Sequence, residues 1–182
     1  LAMHRELAIA PNGALTVRTW LENRSSQTYT RRCRLGLQPW DRGKLRSAVP
    51  LQGGIVCEPT AVYPQARRDL PPEPEAYDEP WWALDYEGIV LAMAWGEGVA
   101  RLNVGWWVDM DSREVTVEPG QRGEAMRLAL FARRGDWRAV REMALRWRGL
   151  WNPQTALPKE RLAGMARLEP QTLIAVSDHV EA

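Results

Sequence analysis

Four short apolar runs follow one another in the middle of the chain, and tight turns separate them. They cover residues 82–86, 89–95, 100–110 and 114–118. The second run, IVLAMAW, is apolar on both sides, which is typical of a central strand that is covered on both faces. The tripeptides GEG and DSR between the later runs favour tight turns. The pattern therefore predicts a meander of antiparallel strands.

A β-hairpin is predicted ahead of this meander, at residues 7–22, because Asn12-Gly13 is a strong hairpin turn signal. Its second strand alternates, with Leu15, Val17, Thr19 and Leu21 on one face and Thr16, Arg18, Trp20 and Glu22 on the other. Residues 28–37 predict one further strand, in which Cys33 points inward as a buried free thiol. Whether Cys33 pairs with Cys57 is left open by the sequence.

The strands are followed by a predicted helix. Residues 124–132 predict a last strand with Met126, Leu128 and Leu130 inward, and the segment GDWRAVREMALRWRG then has apolar residues at helical spacing. We expect Asp136 as the N-cap, Gly149 as the end, and Trp137 and Trp147 on the stripe that packs against a sheet. Together these elements predict an all-β class: a two-sheet antiparallel β-sandwich with a C-terminal amphipathic helix.

The length of 182 residues favours one substantial domain. We place it at residues 1–150 and treat residues 151–182 as a tail, with a short helix predicted at 159–168 and a strand at 173–176. Five prolines in residues 64–80 exclude a helix there and favour a surface loop. Because the chain begins with Leu, we also expect a fragment of a longer polypeptide.

Composition excludes several function classes. The net charge is only +1, so no overall positive field favours nucleic acid as a partner. No apolar run approaches the roughly 18 residues that a transmembrane helix needs, so no membrane partner is expected. Glycine-rich phosphate loops, paired CxxC motifs, HExxH and GxSxG are all missing from the sequence. We therefore predict no cofactor and no metal.

Two stretches resemble a known family. GALTVRTWLENRSSQTY is similar to the strand–Asn–strand opening of the galactose-mutarotase-like supersandwich, a domain attached to many glycoside hydrolases. LFARRGDWRAVREMALRW resembles the exit of such domains, where a strand leads into a Gly-Asp-Trp turn and a helix. The resemblance implies a sandwich that contacts carbohydrate or supports a neighbouring catalytic domain. Aldose epimerases of this fold need paired histidines, whereas this chain has His4 and His179 near its ends, which argues against mutarotase chemistry.

The candidate site follows from the ten tryptophans. A pyranose offers an apolar C–H face and a rim of hydroxyls, which an indole and nearby polar side chains can match. If residues 100–110 form one strand, its polar face carries a single large indole. The predicted carbohydrate-binding residues are Trp107, Asp109, Asn103, Arg101, Trp20 and Trp81. We predict no catalytic residue, because the spacing of Asp109 and Asp111 is shared by any D-x-D strand.

Two functions therefore remain open from the sequence. The first is a non-catalytic carbohydrate-binding or supporting domain of a carbohydrate-active protein, with an oligosaccharide or a neighbouring catalytic domain as partner. The second is an adhesion-type sandwich that uses its tryptophan face as a protein–protein interface. In both, the unusual tryptophan content serves recognition and not catalysis.

Overall fold

The computed structural model describes residues 1–37, 45–51, 53–59, 72–86, 88–104, 108–158 and 160–162. The first strands are β1 (Ala2–Ile9), β2 (Leu15–Glu22), β3 (Tyr29–Arg31), β4 (Arg34–Leu37), β5 (Leu45–Leu51) and β6 (Gly54–Pro59). They are followed by β7 (Trp81–Tyr86), β8 (Ile89–Trp95), β9 (Val99–Val104), β10 (Val108–Ser112), β11 (Val115–Val117) and β12 (Arg122–Arg134). The chain then forms α1 (Trp137–Trp147) and β13 (Glu160–Leu162).

Eight of these strands form one large sheet in the order β1-β2-β12-β8-β7-β5-β6-β13. Its pairings are antiparallel except the last, where β13 runs parallel to β6. A three-stranded sheet, β4-β10-β9, and a two-stranded pair, β11-β3, make up the remaining strands of the described segments. In those segments no helix is long and apolar enough to cross a membrane.

The large sheet is covered on both faces. One core lies between it and the smaller sheets, and it includes Trp82, Met93 and Leu102. A second core lies between the opposite face and α1, and it includes Trp81 and Phe131. Successive side chains of a strand point to opposite faces, so the adjacent indoles of Trp81 and Trp82 enter different cores. The predicted mainly β class, with antiparallel sheets and a C-terminal helix, is confirmed.

The helix is confirmed with its predicted start. The Asp136 side chain accepts a hydrogen bond from the Arg138 backbone N–H at 2.8 Å, which satisfies one of the free amides of the first turn. Gly149 follows the helix with φ +69°, a conformation that glycine adopts without steric cost. Trp137 is buried against the sheet, whereas Trp147 at the other end is only half-buried.

The predicted single strand at residues 100–110 is wrong. The chain reverses there, and β9 and β10 form an antiparallel hairpin in which Val104 is opposite Val108 and Leu102 is opposite Met110. Both Leu102 and Met110 are buried in the core between the sheets. The segment NVGWWV contains no Asn-Gly or Asp-Gly pair, so no local turn signal marked the reversal.

Two other predictions of single elements are wrong. Residues 28–37 form two strands that belong to different sheets, β3 and β4, with the buried free thiol of Cys33 between them. Burial raises the pKa of that thiol. Where a helix is predicted from residue 159, residues 160–162 instead form β13, which adds to the edge of the large sheet. Residues 163–182, with the strand predicted at 173–176, lie outside the described residues.

Asn23 fixes the turn that follows β2. Its side chain is fully buried, and its amide nitrogen donates to the carbonyls of Gln27 at 2.7 Å and Val117 at 2.9 Å. Its amide oxygen accepts from the backbone and the hydroxyl of Ser25. A buried amide with all these partners ties the turn to β11 and so holds the two-stranded sheet against the large one.

Candidate functional site

A polar surface lies on the large sheet beside α1, where β1, β2 and β12 extend past the helix. On β2 the side chains of Val17, Thr19 and Leu21 are buried in the core between the sheets. Alternation therefore places Arg18 and Trp20 on the opposite face, the one that α1 covers farther along the sheet. This face was predicted from the sequence to carry Arg18, Trp20 and Glu22 together.

Trp20 is half-buried, and other groups lie against its ring. The imidazole of His4 stacks on it, with ring centroids 5.4 Å apart and an interplanar angle of 9°. The guanidinium carbon of Arg18 lies 5.9 Å from the indole centroid. A sugar that stacks on Trp20 would therefore have to displace one of these groups.

Glu22 is the acceptor of several ion pairs on this surface. Arg24 and Arg122 each donate to its carboxylate, with N–O distances of 2.6 Å and 3.0 Å. His4 Nε2 lies 3.0 Å from the same carboxylate. The hydrogen bonds from Arg24 and then Arg122 lower the pKa of Glu22 to about 2. The carboxylate is therefore ionised at neutral pH and cannot serve as a general acid.

Glu124 joins two arginines next to Trp20. Its carboxylate accepts from Arg18 at 2.9 Å and from Arg127 Nη2 at 2.9 Å. The register of β12 shifts at residue 125, which is why Glu124 and Arg127 both reach the polar face although they are three residues apart. Hydrogen bonds from Arg127 lower the pKa of Glu124, so this carboxylate is also ionised.

A cleft of about 870 Å³ opens over this cluster. It is lined by β1, β2 and β12, by the 96–98 turn, by residues 113–115 and by the end of α1. Its charged lining consists of four carboxylates and four guanidinium groups: Glu6, Glu97, Glu114, Glu124, Arg18, Arg113, Arg127 and Arg148. Trp147 is the indole in this lining. The cleft is therefore balanced in charge and rich in both donors and acceptors.

Two features of the cleft wall bear on what it can hold. The Nε atom of Arg148, a residue of the cleft lining, is buried and has no hydrogen-bond partner among the described residues. Gly96 lies close to the Trp147 indole and to Arg127. A Cβ at this position would be 3.5 Å from the indole and 3.2 Å from Arg127. The glycine lets the helix end and the 96–98 turn approach each other.

The structure places the predicted site residues differently from the sequence. Trp81 has no exposed surface and stacks on Trp137, so the prediction that it presents its ring to a sugar is wrong. Asn103 and Asp109 are register partners on β9 and β10, not neighbours along one strand. Arg101 is exposed opposite Asp111. Trp107 and the side chains of Asn103 and Asp109 lie outside the described residues, so the site proposed around them stays a prediction.

Asp111 is the acid of β10 whose side chain the structure describes. Asp111 forms an ion pair with Arg34, whose Nε lies 2.7 Å from its Oδ1. In the part of the chain that the structure describes, no cluster of three or more His, Cys, Asp or Glu side chains could hold a metal ion. His4 is engaged with Trp20 and Glu22, and His179 lies beyond the described segments.

Several residues of the cleft were not predicted from the sequence to belong to a site. Glu124 and Arg127 come from β12, which lies more than a hundred residues after its partner β2 in the chain. Trp147 was predicted only as a residue that holds the helix on the sheet. Trp147 is the last residue of α1, and this position at the helix end is the sequence feature that allows its ring to reach the cleft.

No protein-family model and no curated protein matches this chain. Among solved structures, it is similar to the Slr1438 protein of Synechocystis sp. PCC 6803, with a TM-score of 0.47 and 9% identity over 74% of this chain and 55% of that one. It is also similar to a candidate aldose 1-epimerase of Klebsiella pneumoniae, with a TM-score of 0.43 and 11% identity over 87% of this chain and 53% of that one. The chain thus spans about half the length of each protein, and nothing about its activity follows from the likeness.

Proposed function

We propose that this chain is a non-catalytic carbohydrate-binding domain that holds an uncharged oligosaccharide in the cleft over Arg18, Glu124 and Arg127. The observation that carries the proposal is the lining of the cleft, in which equal numbers of carboxylates and guanidinium groups surround a half-buried indole. A polyanion would meet as many repelling as attracting charges there. A neutral polyol would meet acceptors and donors in equal supply.

The chemistry of each group fits this ligand class. The apolar C–H face of a pyranose packs on an indole such as Trp147, while hydroxyls around the ring donate to carboxylates and accept from guanidinium groups. The ion pairs of Glu124 hold both arginines in place before a ligand binds, which reduces the entropic cost of binding.

The sequence resemblance to the galactose-mutarotase-like domains of glycoside hydrolases supports the same proposal. Such a domain contacts carbohydrate beside a catalytic module, so we infer that a neighbouring catalytic domain is the partner of this one. The platform predicted on Trp107, Asn103, Asp109 and Arg101 is retained as a second sugar contact.

Isothermal titration calorimetry with cellohexaose, xylohexaose and maltohexaose tests the proposal, with hexagalacturonate as the anionic comparison. We expect saturable binding of at least one neutral sugar and weaker binding of the galacturonate. Arg127→Gln removes a charged donor, worth about 1.5–3 kcal/mol, and should weaken binding roughly tenfold or more. Arg133→Gln is the matched control, because Arg133 is exposed on the same strand outside the cleft.

Two outcomes would overturn the proposal. One is the absence of binding heat across the neutral sugars with a folded protein. The other is an equal loss of affinity in Arg127→Gln and Arg133→Gln, since binding would then not involve the cleft. Circular dichroism of each variant establishes that the fold is intact.

A second candidate function, a sandwich that binds another protein, is favoured by a different observation. Large apolar side chains are exposed on β1, among them Leu7 at 63% and Ile9 at 79%. Exposed apolar patches are a common feature of protein–protein interfaces. Protein binding through this strand does not exclude carbohydrate binding in the cleft.

A further inference from the structure

The outermost strand of the large sheet, β1, exposes apolar side chains on one of its faces. Leu1, which precedes the strand, is 43% exposed, and Met3 is 54% exposed. Leu7 and Ile9 continue the same face and are still more exposed. These four residues alternate along the chain and form an apolar stripe, which we call the β1 stripe. An exposed apolar edge strand favours pairing with another strand.

The backbone of β1 is also open for pairing. At the hairpin turn Ala10 donates to the carbonyl of Ala14 at 2.8 Å, which makes these two a hydrogen-bonded pair. Bonded and non-bonded pairs alternate in an antiparallel ladder, so the even-numbered residues of β1 bond to β2. The N–H and C=O groups of Met3, Arg5 and Leu7 therefore point outward, and no strand of the described segments pairs with them.

The order of residues along this strand is nearly palindromic. In LAMHRELAI, apolar residues occupy matching places on either side of Arg5, and His4 and Glu6 flank it. We propose that β1 pairs antiparallel with β1 of a second copy of this chain, about a two-fold axis at Arg5. This register places Met3 opposite the second copy's Leu7, Leu1 opposite its Ile9, and His4 opposite its Glu6.

Other registers that use the same outward groups are less complementary. If every residue is paired two positions farther along the second copy's strand, Glu6 lies opposite Glu6 and Arg5 lies opposite Leu7. A shift in the other direction places His4 opposite His4 and Met3 opposite Arg5. Like charges directly opposite each other are destabilising, and a charged residue opposite an apolar one gains no favourable cross-strand pair. The register about Arg5 is the one that matches the apolar stripe throughout.

In this register Arg5 lies opposite Arg5 of the second copy, so two positive charges face each other. A contact within each chain draws these guanidinium groups apart. Arg5 Nη2 donates to the carbonyl of Arg34 on β4 at 2.9 Å, which directs the guanidinium toward the smaller sheet of its own chain. The two guanidinium groups are thus held by separate chains. The pairing would continue the large sheet from one copy into the next and bring the two β1 stripes side by side, so that their apolar side chains contact each other across the paired strands.

Sedimentation equilibrium tests the proposal. We expect the unmodified chain to dimerise at concentrations of about 100 µM or below, the micromolar range typical of a modest interface. Leu7→Lys places a charge in the paired edge and should yield a monomer. Because Leu7 is exposed, this substitution leaves the core intact. Leu91→Lys is the matched control, since Leu91 is 47% exposed on the same sheet away from its edge, and this variant should remain dimeric.

A disulfide experiment tests the register. On oxidation, the double variant Met3→Cys/Leu7→Cys should form covalent dimers, because directly paired residues lie about 5.5 Å apart at Cα, within disulfide range. Met3→Cys/Ile9→Cys, matched to the shifted register, should form few. A monomer at all concentrations, a dimer that Leu7→Lys leaves unchanged, or preferential cross-linking of the second pair would overturn the proposal.

Discussion

The indole rings of Trp81 and Trp137 stack with their centroids 6.0 Å apart and an interplanar angle of 15°. Trp81 begins β7 and Trp137 begins α1, so this pair joins the helix to the centre of the large sheet. Trp81 Nε1 also donates to Glu79 at 2.6 Å, which satisfies the polar atom of a fully buried ring. The pair is structural, and the helix whose far end borders the cleft depends on it.

Trp137→Ala should lower the free energy of unfolding by about 3–5 kcal/mol, because it removes a buried aromatic ring and leaves a cavity beside Trp81. Urea unfolding followed by circular dichroism measures this change. Leu150→Ala, at a position 54% exposed just after the helix, should change stability by less than about 0.5 kcal/mol. Equal effects of the two substitutions would contradict the assigned packing.

A buried ion pair between Arg141 and Glu79 holds the same helix. Arg141 Nε donates to both carboxylate oxygens of Glu79, at 2.9 Å and 2.8 Å, and the arginine side chain is only 2% exposed. Arg141→Ala should cost about 3–5 kcal/mol, because it leaves the largely buried carboxylate of Glu79 without its cationic partner. The double variant Arg141→Met/Glu79→Gln should recover much of this loss in urea unfolding. A double variant no more stable than Arg141→Ala would show that the charge is not the cause.

Gly98 should be far less tolerant of substitution than Gly120, although both have positive φ angles, +93° and +74°. A Cβ on Gly98 would lie 2.1 Å from the carbonyl oxygen of Ala125, whereas a Cβ on Gly120 meets nothing within 4 Å. Gly120→Ala should cost about 1–2 kcal/mol of conformational strain. Gly98→Ala should cost at least about 3 kcal/mol, since backbone must also move. Thermal unfolding of both variants compares them, and similar melting temperatures would contradict this account.

The low pKa of Glu22 makes stability depend on pH at the acid end. Its folded-state value, about 2, is below the ordinary 4.5, because Arg24 and Arg122 donate to the ionised form. Its contribution is therefore present above about pH 4.5 and is lost as the pH falls toward 2. Carbon-13 NMR titration of the Glu22 carboxyl should give a midpoint near 2. A midpoint at the ordinary value would contradict the ion-pair network.

Glu22→Gln should remove part of the decrease in the free energy of unfolding that acid causes. The wild type should be more stable than this variant at neutral pH, and the difference should shrink as the pH falls through that range. Glu75→Gln is the control, because its carboxylate is 70% exposed on the surface, 3.6 Å from Arg113. A difference that does not vary with pH would mean that Glu22 acts through packing and not through its charge.

Local sequence patterns predicted the strands and the helix in which apolar residues recur at regular spacing. The run at Ile89–Trp95 is a central strand, and α1 begins at the predicted N-cap, because alternation and capping are both local properties of the sequence. The β9–β10 hairpin was missed because the sequence between its strands, Gly-Trp-Trp, carries no Asn-Gly or Asp-Gly turn signal. The strand β5 was missed because its proline and polar residues weaken the alternation.

The candidate site was predictable only in part. The shared face of Arg18, Trp20 and Glu22 follows from their spacing on one strand. Their partners on β12 depend on the pairing of strands far apart in the chain, which no local pattern specifies. The prediction for Trp81 failed for a related reason: α1 packs over the end of β7 at which Trp81 lies, and this contact joins segments far apart in the chain.

Nuclear magnetic resonance of the tryptophan indole N–H groups tests whether a sugar binds in the cleft beside Trp147. In protein labelled with nitrogen-15 tryptophan, titration with the tightest-binding neutral hexasaccharide should shift the Trp147 signal to saturation. The buried Trp81 signal should stay in place, and Arg127→Gln should suppress the Trp147 shift. Saturable binding that leaves Trp147 unmoved would contradict the claim and place the sugar elsewhere on the molecule.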